Sequence, residues 1–285
     1  MKNVFVTSLL IAIVSFTFSQ KKTAYVIYNA KGKKVSYAKM IRTIAKKNDV
    51  VLFGEFHNNP ISHWLQLEVT KDLAEKRELI LGAEMFEADN QKQLDDYLNG
   101  RIDAKELDTT ARLWKNFKTD YKPLVDFAKD NKLKFIACNV PRRYAKIVYN
   151  DGLEALEELP NNEKAWLAPL PIAYDSELPG YQAMLEMMGG HGGENLPKAQ
   201  AIKDATMGYF IMKNRIPGQL FIHYNGAYHS DNYEAISWYL NKINPEVQVQ
   251  TISTVSQDDV FKLLEENKMK ADFIICVDED MTTTY

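Results

Sequence analysis

A short apolar run that opens into a glycine and two polar side chains is the feature that most constrains the fold. Residues Val50 to Phe53 are followed by Gly54, Glu55 and His57. The apolar run predicts a buried strand that ends in a polar turn. If the extended geometry continues past the glycine, Glu55 and His57 face the same side. They then form half of a metal site or an acid–base pair. A tight turn in which both bond to neighbouring backbone is the alternative.

Apolar and amphipathic segments alternate along the rest of the chain. Strands are predicted at 24–28, 50–53, 78–85, 133–138, 219–224, 247–252 and 272–277, and helices at 36–47, 61–76, 89–99, 198–214, 231–241 and 258–266. This alternation predicts an α/β fold in which a mostly parallel central sheet is flanked by helices. The region of about 100–200 is mainly helical. We interpret it as a helical insertion that caps the sheet of a single domain spanning residues 20–285.

The N-terminal residues predict export. The run from Val4 to Phe18 is apolar and holds no acidic residue, and Thr17 and Ser19 place small side chains before a cleavage point. This pattern is typical of a signal peptide, here residues 1–19, and indicates a periplasmic or secreted protein. The residue directly after the predicted cleavage point is Gln20 and not a cysteine, so the sequence does not indicate a lipid anchor. The formal net charge of −3 gives no reason to expect nucleic acid as a partner.

Polar side chains follow four of the predicted strands. They are Glu55, His57, Glu84, Glu87, Asn139, Arg142, Arg143, His223 and His229. Ligands of open α/β sheets bind outside the carboxyl ends of the strands, so we expect these side chains to converge on one edge. Two of the strand ends share the spacing G-x-x-H, at 54–57 and 226–229. In each, the glycine is expected to permit a sharp exit that turns the histidine back over the sheet.

Two chemical schemes fit the same four side chains. In the first, His57, His229 and either Glu55 or Glu84 bind a divalent metal ion, and the remaining glutamate is the general base of a hydrolase. In the second, the reaction needs no metal. One histidine is then the base, and the two glutamates hold it and the attacking water.

A binding function for a planar cofactor such as haem is the third interpretation. Haem needs an apolar slot, an axial ligand and cations for its propionates. Tyr181 and His191 are candidate contacts, although His191 between its glycines is equally typical of a solvated loop. Arg142, Arg143 and Lys203 are the cations that could meet carboxylates.

Several longer stretches resemble the ChaN-like haem-binding uptake family, within the wider Tiki, TraB and erythromycin esterase group. They are VLFGEFHNNP, LILGAEMFEADNQKQLDDYL, YKPLVDFAKDNKLKFIACNVPRRYA, KAQAIKDATMG and NGAYHSDNYEAI. The paired G-x-x-H turns with acidic residues after the second strand are similar to those of the whole group. The NVPR turn and the DATM helix are more similar to the ChaN branch.

The resemblance implies an α/β sheet with a helical cap and the binding of haem or iron outside the cytoplasm. It implies a shared polar site of Glu55, His57, Glu84 and His229, which in metal-dependent relatives is catalytic. In the haem-binding reading, a tyrosine of one subunit ligates the iron and a homodimeric partner supports the propionates. Tyr181 is the candidate by position. An outer-membrane uptake system is the partner that such a function implies.

Overall fold

The computed structural model describes residues 23–46, 48–187 and 193–285. The predicted signal peptide and His191 lie outside these ranges. The strands of the described chain are β1 Tyr25–Asn29, β2 Val50–Glu55, β3 Leu79–Glu87, β4 Lys134–Asn139, β5 Leu220–Gly226, β6 Val249–Gln257 and β7 Phe273–Asp278. Its α-helices are α1 Tyr37–Ile44, α2 Pro60–Ala74, α3 Gln91–Leu98, α4 Ala104–Thr110, α5 Lys122–Asp130, α6 Arg142–Asp151, α7 Asn161–Lys164, α8 Pro179–Met187, α9 Asn195–Asn214 and α10 Ile236–Ile243.

The strands form one sheet in the order β1-β7-β6-β2-β5-β3-β4. All neighbours are parallel except β1, which runs antiparallel to β7 at one edge. The predicted fold class is therefore confirmed. Because β2, β5, β3 and β4 are consecutive and parallel, their carboxyl ends meet along one stretch of the sheet edge. None of the helices that the structure describes has the length and hydropathy of a transmembrane span.

The sheet is buried on both faces, as a parallel sheet between helix layers requires. Every residue of β2, β3 and β5 is buried. On one face, apolar side chains of α1, α2, α3 and α5 pack against the strands in a single large cluster. On the other face, a smaller cluster joins α9 and α10 to the sheet through residues such as Met207 and Leu240. The near-continuous apolar runs of these strands are explained by this two-sided burial.

The region 100–200 contributes both helices and a strand to the fold. β4 lies within it and pairs with β3 at the edge of the sheet. A separate apolar cluster joins α6 to α9 through Tyr144, Val148 and Ile202. These contacts place the first turn of α6 and the middle of α9 beside the carboxyl ends of the strands.

The helix predicted over 258–266 is wrong. Residues 258–264 form turns, and a short 3₁₀ turn follows at Glu265–Asn267. The Gln257 side chain explains the difference, because its amide nitrogen donates to the carbonyls of Asp259 and Lys262 and its oxygen accepts from the Leu264 amide. These bonds occupy backbone groups that a helix would pair internally.

The two glycines of the G-x-x-H segments are needed for close packing rather than for a sharp turn. Gly54 and Gly226 lie inside β2 and β5, where Gly54 is paired with Asn225 and Glu55 with Gly226. A Cβ atom on Gly54 would lie 2.9 Å from the Ala227 Cα, and one on Gly226 would lie 2.8 Å from the His57 Nε2. Each glycine thus makes room for the segment that follows the other strand.

We expect side chains at position 54 to destabilise the fold in proportion to their size, because the atoms they meet are mainly backbone. Gly54→Ala should lower the free energy of unfolding by about 1–3 kcal/mol, and Gly54→Ser by more. At Gly100, which has a positive φ of 70° and nothing within 4 Å of its Cβ position, only backbone strain opposes a side chain. Gly100→Ala and Gly100→Ser should therefore cost the same. Urea unfolding of the four variants tests this, and equal costs for Ala and Ser at position 54 would contradict it.

Candidate functional site

Glu55 and His57 form a hydrogen-bonded pair at the carboxyl end of β2. The His57 Nδ1 lies 2.9 Å from the Glu55 Oε1, and the Glu55 side chain is fully buried. The same oxygen accepts a hydrogen bond of 2.7 Å from the Tyr121 hydroxyl, and Oε2 accepts one from the Gln66 amide. Both oxygens of Glu55 are therefore engaged. It fixes the ring of His57 and leaves Nε2 as the nitrogen that faces the site.

A second layer of polar groups holds the backbone of His57. Its carbonyl oxygen accepts hydrogen bonds of 3.0 Å from the Asn116 amide and the His63 Nε2. Asp120 lies behind both donors, because its Oδ2 accepts from Asn116 and lies 3.4 Å from the His63 Nε2. The Trp114 ring packs edge-on against the His57 ring at a centroid distance of 4.8 Å. Contacts to the ring and to the backbone of His57 thus fix the position of this imidazole.

His229, in the 3₁₀ turn after β5, lies between two carboxylates. Its Nδ1 lies 2.5 Å from the Asp204 Oδ1 and its Nε2 lies 3.3 Å from the Glu84 Oε1. Glu84 comes from β3 and Asp204 from α9, and all three side chains are buried. The Tyr181 hydroxyl donates to the second oxygen of Asp204 at 2.9 Å. A buried imidazole that contacts two carboxylates in this way is positioned to carry a positive charge.

The two halves of the site meet at Gly226. Its amide donates to the Glu84 Oε2 at 2.8 Å, and a Cβ atom there would lie 2.8 Å from the His57 Nε2 and 3.6 Å from the Glu84 Oε2. The structure thus brings Glu55, His57, Glu84 and His229 together along one edge. They are linked by the strand pairing of β2, β5 and β3.

The local charges shift the pKa values of both histidines upward. Burial disfavours the charged form of His229, but Glu84 and Asp204 outweigh it and raise its pKa to about 10. Burial also opposes protonation of His57, yet its hydrogen bond to Glu55 and the charges of Glu84 and Glu55 raise its pKa. Burial would raise the pKa of Glu84, but the charge and hydrogen bond of His229 lower it well below its usual range. Burial raises the pKa of Asp204, which His229 only partly offsets. The site is therefore an ion cluster around a cationic His229 at neutral pH.

The metal site predicted from His57, His229, Glu55 and Glu84 is not formed by the described residues. No group of three or more His, Cys, Asp or Glu side chains within the described ranges is arranged to hold a metal ion. The hydrogen bonds explain this. Glu55 lies behind the His57 ring, on Nδ1, while both oxygens of Glu84 are engaged by Gly226 and His229. The carboxylates orient imidazoles instead of presenting free oxygens to an ion.

The predicted cations lie beside this site, but they already have partners. Arg142 and Arg143 begin α6 directly after β4, and their side chains are 67% and 45% exposed. Arg142 contacts Glu87 at 2.6 Å and Arg143 contacts Asp89 at 2.6 Å. Lys203 lies on α9, with its Nζ 3.5 Å from the Gln200 side chain. The guanidinium groups remain open to solvent on their outer side.

Tyr181 is in the buried network rather than at the surface. It is 3% exposed, and burial together with the Asp204 charge raises the pKa of its hydroxyl far above the usual value. An iron ligand at this position would first have to leave Asp204. His191, the other predicted cofactor contact, lies outside the described residues.

The sequence reasoning missed the groups that hold the two histidines. Asp204, Tyr121 and Gln66 lie in helices or in the helical turn before α5, where a single polar residue is typical of a solvated face. His63, early in α2, is buried against the His57 carbonyl, and no motif in the sequence singles it out. The KAQAIKDATMG stretch, which contains Asp204, is the one signal that could have indicated this residue.

The fold and the site define an α/β protein with an imidazole–carboxylate cluster at the carboxyl edge of its sheet. The sequence model of the family described as haem-binding uptake, Tiki superfamily, ChaN matches residues 41–240. The chain belongs to this family.

The structural comparisons agree with this fold. A chain described as "Cofacial heme binding to ChaN of Campylobacter jejuni" superposes with a TM-score of 0.66 at 18% identity, covering 88% of this chain and 96% of that one. A chain described as "Erythromycin esterase mutant EreC H289N in its open conformation" gives a TM-score of 0.52 at 10% identity, covering 90% and 97%. At these identities both likenesses show the fold alone.

A curated plant protein shares part of the sequence. Protein RETICULATA-RELATED 5, chloroplastic, of Arabidopsis thaliana is 31% identical over 117 residues, which cover 38% of this chain. The match spans 16% of that protein's length.

Replacing Asp204 by Asn is expected to lower the free energy of unfolding by about 3 kcal/mol near pH 7, because the buried imidazolium loses one of its two counter-charges. Asp130→Asn, a matched change at an exposed position on α5, should change it by less than about 0.5 kcal/mol. Urea unfolding of both variants and the parent protein measures the difference.

The cost of Asp204→Asn should depend on pH. The folded-state pKa of His229, about 10, lies above its ordinary value of 6.5. The contribution of His229 to the free energy of unfolding is therefore complete below its ordinary pKa. This contribution is lost as the pH rises through the folded-state pKa. The stability difference between the parent protein and Asp204→Asn should shrink as the pH rises from about 7 to about 10. A difference that stays constant over this range would contradict a charged His229.

Proposed function

We propose that this chain is an exported haem-binding protein that takes part in haem or iron uptake, with its cofactor site at the carboxyl edge of the sheet. The observation that carries the proposal is the family match over residues 41–240. This range encloses both halves of the imidazole–carboxylate cluster and the exposed arginines of α6. Export rests on the N-terminal pattern, and pairing into a homodimer rests on the resemblance alone.

The exposed side chains of this edge fit a planar, anionic cofactor. Phe56 and Tyr228 flank the two histidines in the sequence and are 37% and 42% exposed. Arg142 and Arg143 offer guanidinium groups, which bind carboxylates through two parallel hydrogen bonds. Haem would supply an iron that accepts a ligand from the protein. The chain would supply that ligand, the aromatic contacts and the cations.

In the described conformation His57 is the histidine that could serve as a ligand of the iron. Its side chain is 33% exposed, and no described residue makes a hydrogen bond to its Nε2. Glu55 on Nδ1 fixes the ring and strengthens Nε2 as a ligand, as carboxylates behind metal-bound histidines do. Tyr181 becomes a ligand if its phenol leaves the bond to Asp204.

Haemin titration followed by visible absorption tests this proposal. We expect a strong absorption band in the parent protein, and its loss or shift in His57→Ala but not in Tyr181→Phe. Glu55→Gln, which leaves His57 in place but removes its carboxylate, should weaken binding by about ten- to a hundredfold. Glu158→Gln, at an exposed position, is the matched control.

Unchanged spectra for His57→Ala with a lost band in Tyr181→Phe would transfer the ligand role to the tyrosine. The absence of any haemin binding by the folded parent protein would overturn the proposal.

Size-exclusion chromatography with and without haemin tests the homodimer. If haemin loading produces a homodimer, the loaded protein should elute earlier than the free protein.

A metal-free hydrolase is the second candidate function, and the two carboxylate-bound imidazoles are the observation that favours it. His57 can take a proton from a water at Nε2 while Glu55 stabilises the resulting imidazolium. His229, held charged by Glu84 and Asp204, can stabilise the negative charge that develops on the substrate. The two histidines thus have environments suited to different roles.

Hydrolysis of p-nitrophenyl butyrate tests the second candidate. His57→Ala is expected to reduce kcat by about 10²- to 10⁴-fold, because it removes the general base. The activity should resist a chelator such as EDTA. An activity that the chelator abolishes, or one that His57→Ala leaves intact, would contradict this mechanism.

A further inference from the structure

An apolar cavity lies away from the imidazole–carboxylate cluster, between α9, α10 and the loop 168–173. Its volume is about 370 Å³, which falls within the range of small-molecule sites. Its walls include Ile172, Ala205, Tyr209, Tyr239, Lys242 and Ile243. We refer to it as the α9–α10 cavity.

The cavity is lined by residues other than those of the imidazole–carboxylate cluster. Ala205, on the cavity side, directly follows Asp204, which faces His229. The Tyr239 hydroxyl donates to the Ala173 carbonyl at 2.7 Å and ties α10 to the loop. The cavity thus shares α9 with the cluster but presents different side chains.

The cavity combines an apolar interior with cations at its margin. Ile243 is 50% exposed at its opening, a large apolar surface left to solvent. The Lys242 ammonium lies 5.0 Å from the centroid of the Trp238 ring, and none of the ion pairs found among the described residues includes this lysine. Lys213 lies nearby, 5.3 Å from the ring of Tyr209. The rim thus attracts anions, while the walls favour apolar groups.

We propose that the α9–α10 cavity binds a small amphiphilic anion, namely an apolar chain of medium length that ends in a carboxylate. The alkyl chain of the ligand displaces water from Ile172, Ala205 and Ile243. This displacement buries apolar surface of both the ligand and the protein. The carboxylate remains at the rim beside Lys242, where it keeps part of its hydration. A neutral alkane derivative would gain only the burial of apolar surface. An alkylammonium would be repelled by the positive charge of the lysines at the rim.

Isothermal titration of the full chain with decanoate, decanol and decylammonium tests the charge preference. We expect decanoate to bind at concentrations of about 1 mM or below, and decylammonium to bind at least about tenfold more weakly. Added salt should weaken decanoate binding, because the rim charges are exposed to solvent. Equal affinities for decanoate and decylammonium, or no decanoate binding, would overturn the proposal.

Two variants at exposed positions locate the site. Lys242→Glu should weaken decanoate binding by at least about tenfold, and Ile243→Asp should do the same by placing a negative charge at the opening. Lys146→Glu makes the same charge change on the exposed surface of α6 and should leave the affinity unchanged. Decanoate binding that neither cavity variant affects would place the ligand elsewhere and contradict the proposal.

Haemin titration of Ile243→Asp keeps this inference distinct from the proposed function. The variant should bind haemin as the parent protein does, since the cofactor site lies at the carboxyl edge. If Ile243→Asp loses haemin binding, the cavity is the haem site and the proposal of a separate anion site is wrong.

Discussion

A positive charge buried between two carboxylates is the interaction on which the site depends. Removing an ion from water costs several kcal/mol, so a buried imidazolium persists only with close counter-charges. His229 obtains them from β3 through Glu84 and from α9 through Asp204. The ion pairs of His229 therefore connect α9 to β3 and to the turn after β5. The local fold and the local electrostatics depend on each other.

The second histidine differs from the first in ways that suit a different chemical role. His57 has one carboxylate partner and a side chain that is one-third exposed, whereas His229 has two partners and is buried. Paired titratable groups in unlike environments are typical of sites that divide acid and base roles. The same arrangement suits cofactor binding, because a fixed imidazole with a free nitrogen is a good metal ligand. The fold alone does not decide between these uses.

The sequence predicted the sheet and its polar edge because both depend on short-range patterns. The apolar runs before Glu55, Glu84 and His229 mark buried parallel strands, and parallel strands bring their carboxyl ends to one edge. The order of the strands and the reason for the two glycines required coordinates. Gly54 and Gly226 are needed because segments far apart in the chain pass within contact distance, which no local pattern encodes.

The supporting groups could not be found in the same way. Asp204 lies on a helix 25 residues before His229, and its burial follows from how α9 packs across β4 and α10. Tyr181 has a residue type suited to an exposed iron ligand, yet α8 places its hydroxyl on Asp204. The helix predicted over 258–266 was wrong because the side chain of Gln257 donates hydrogen bonds to backbone carbonyls of that segment.

The protonation state of each histidine in the native protein is the most direct test of this account. Nitrogen NMR of the imidazole rings at about pH 8 distinguishes a doubly protonated ring from a neutral one. We expect a doubly protonated His229 and a neutral His223, because burial lowers the pKa of His223 to about 4. A neutral His229 at that pH in the folded protein would contradict the buried ion cluster and the roles derived from it.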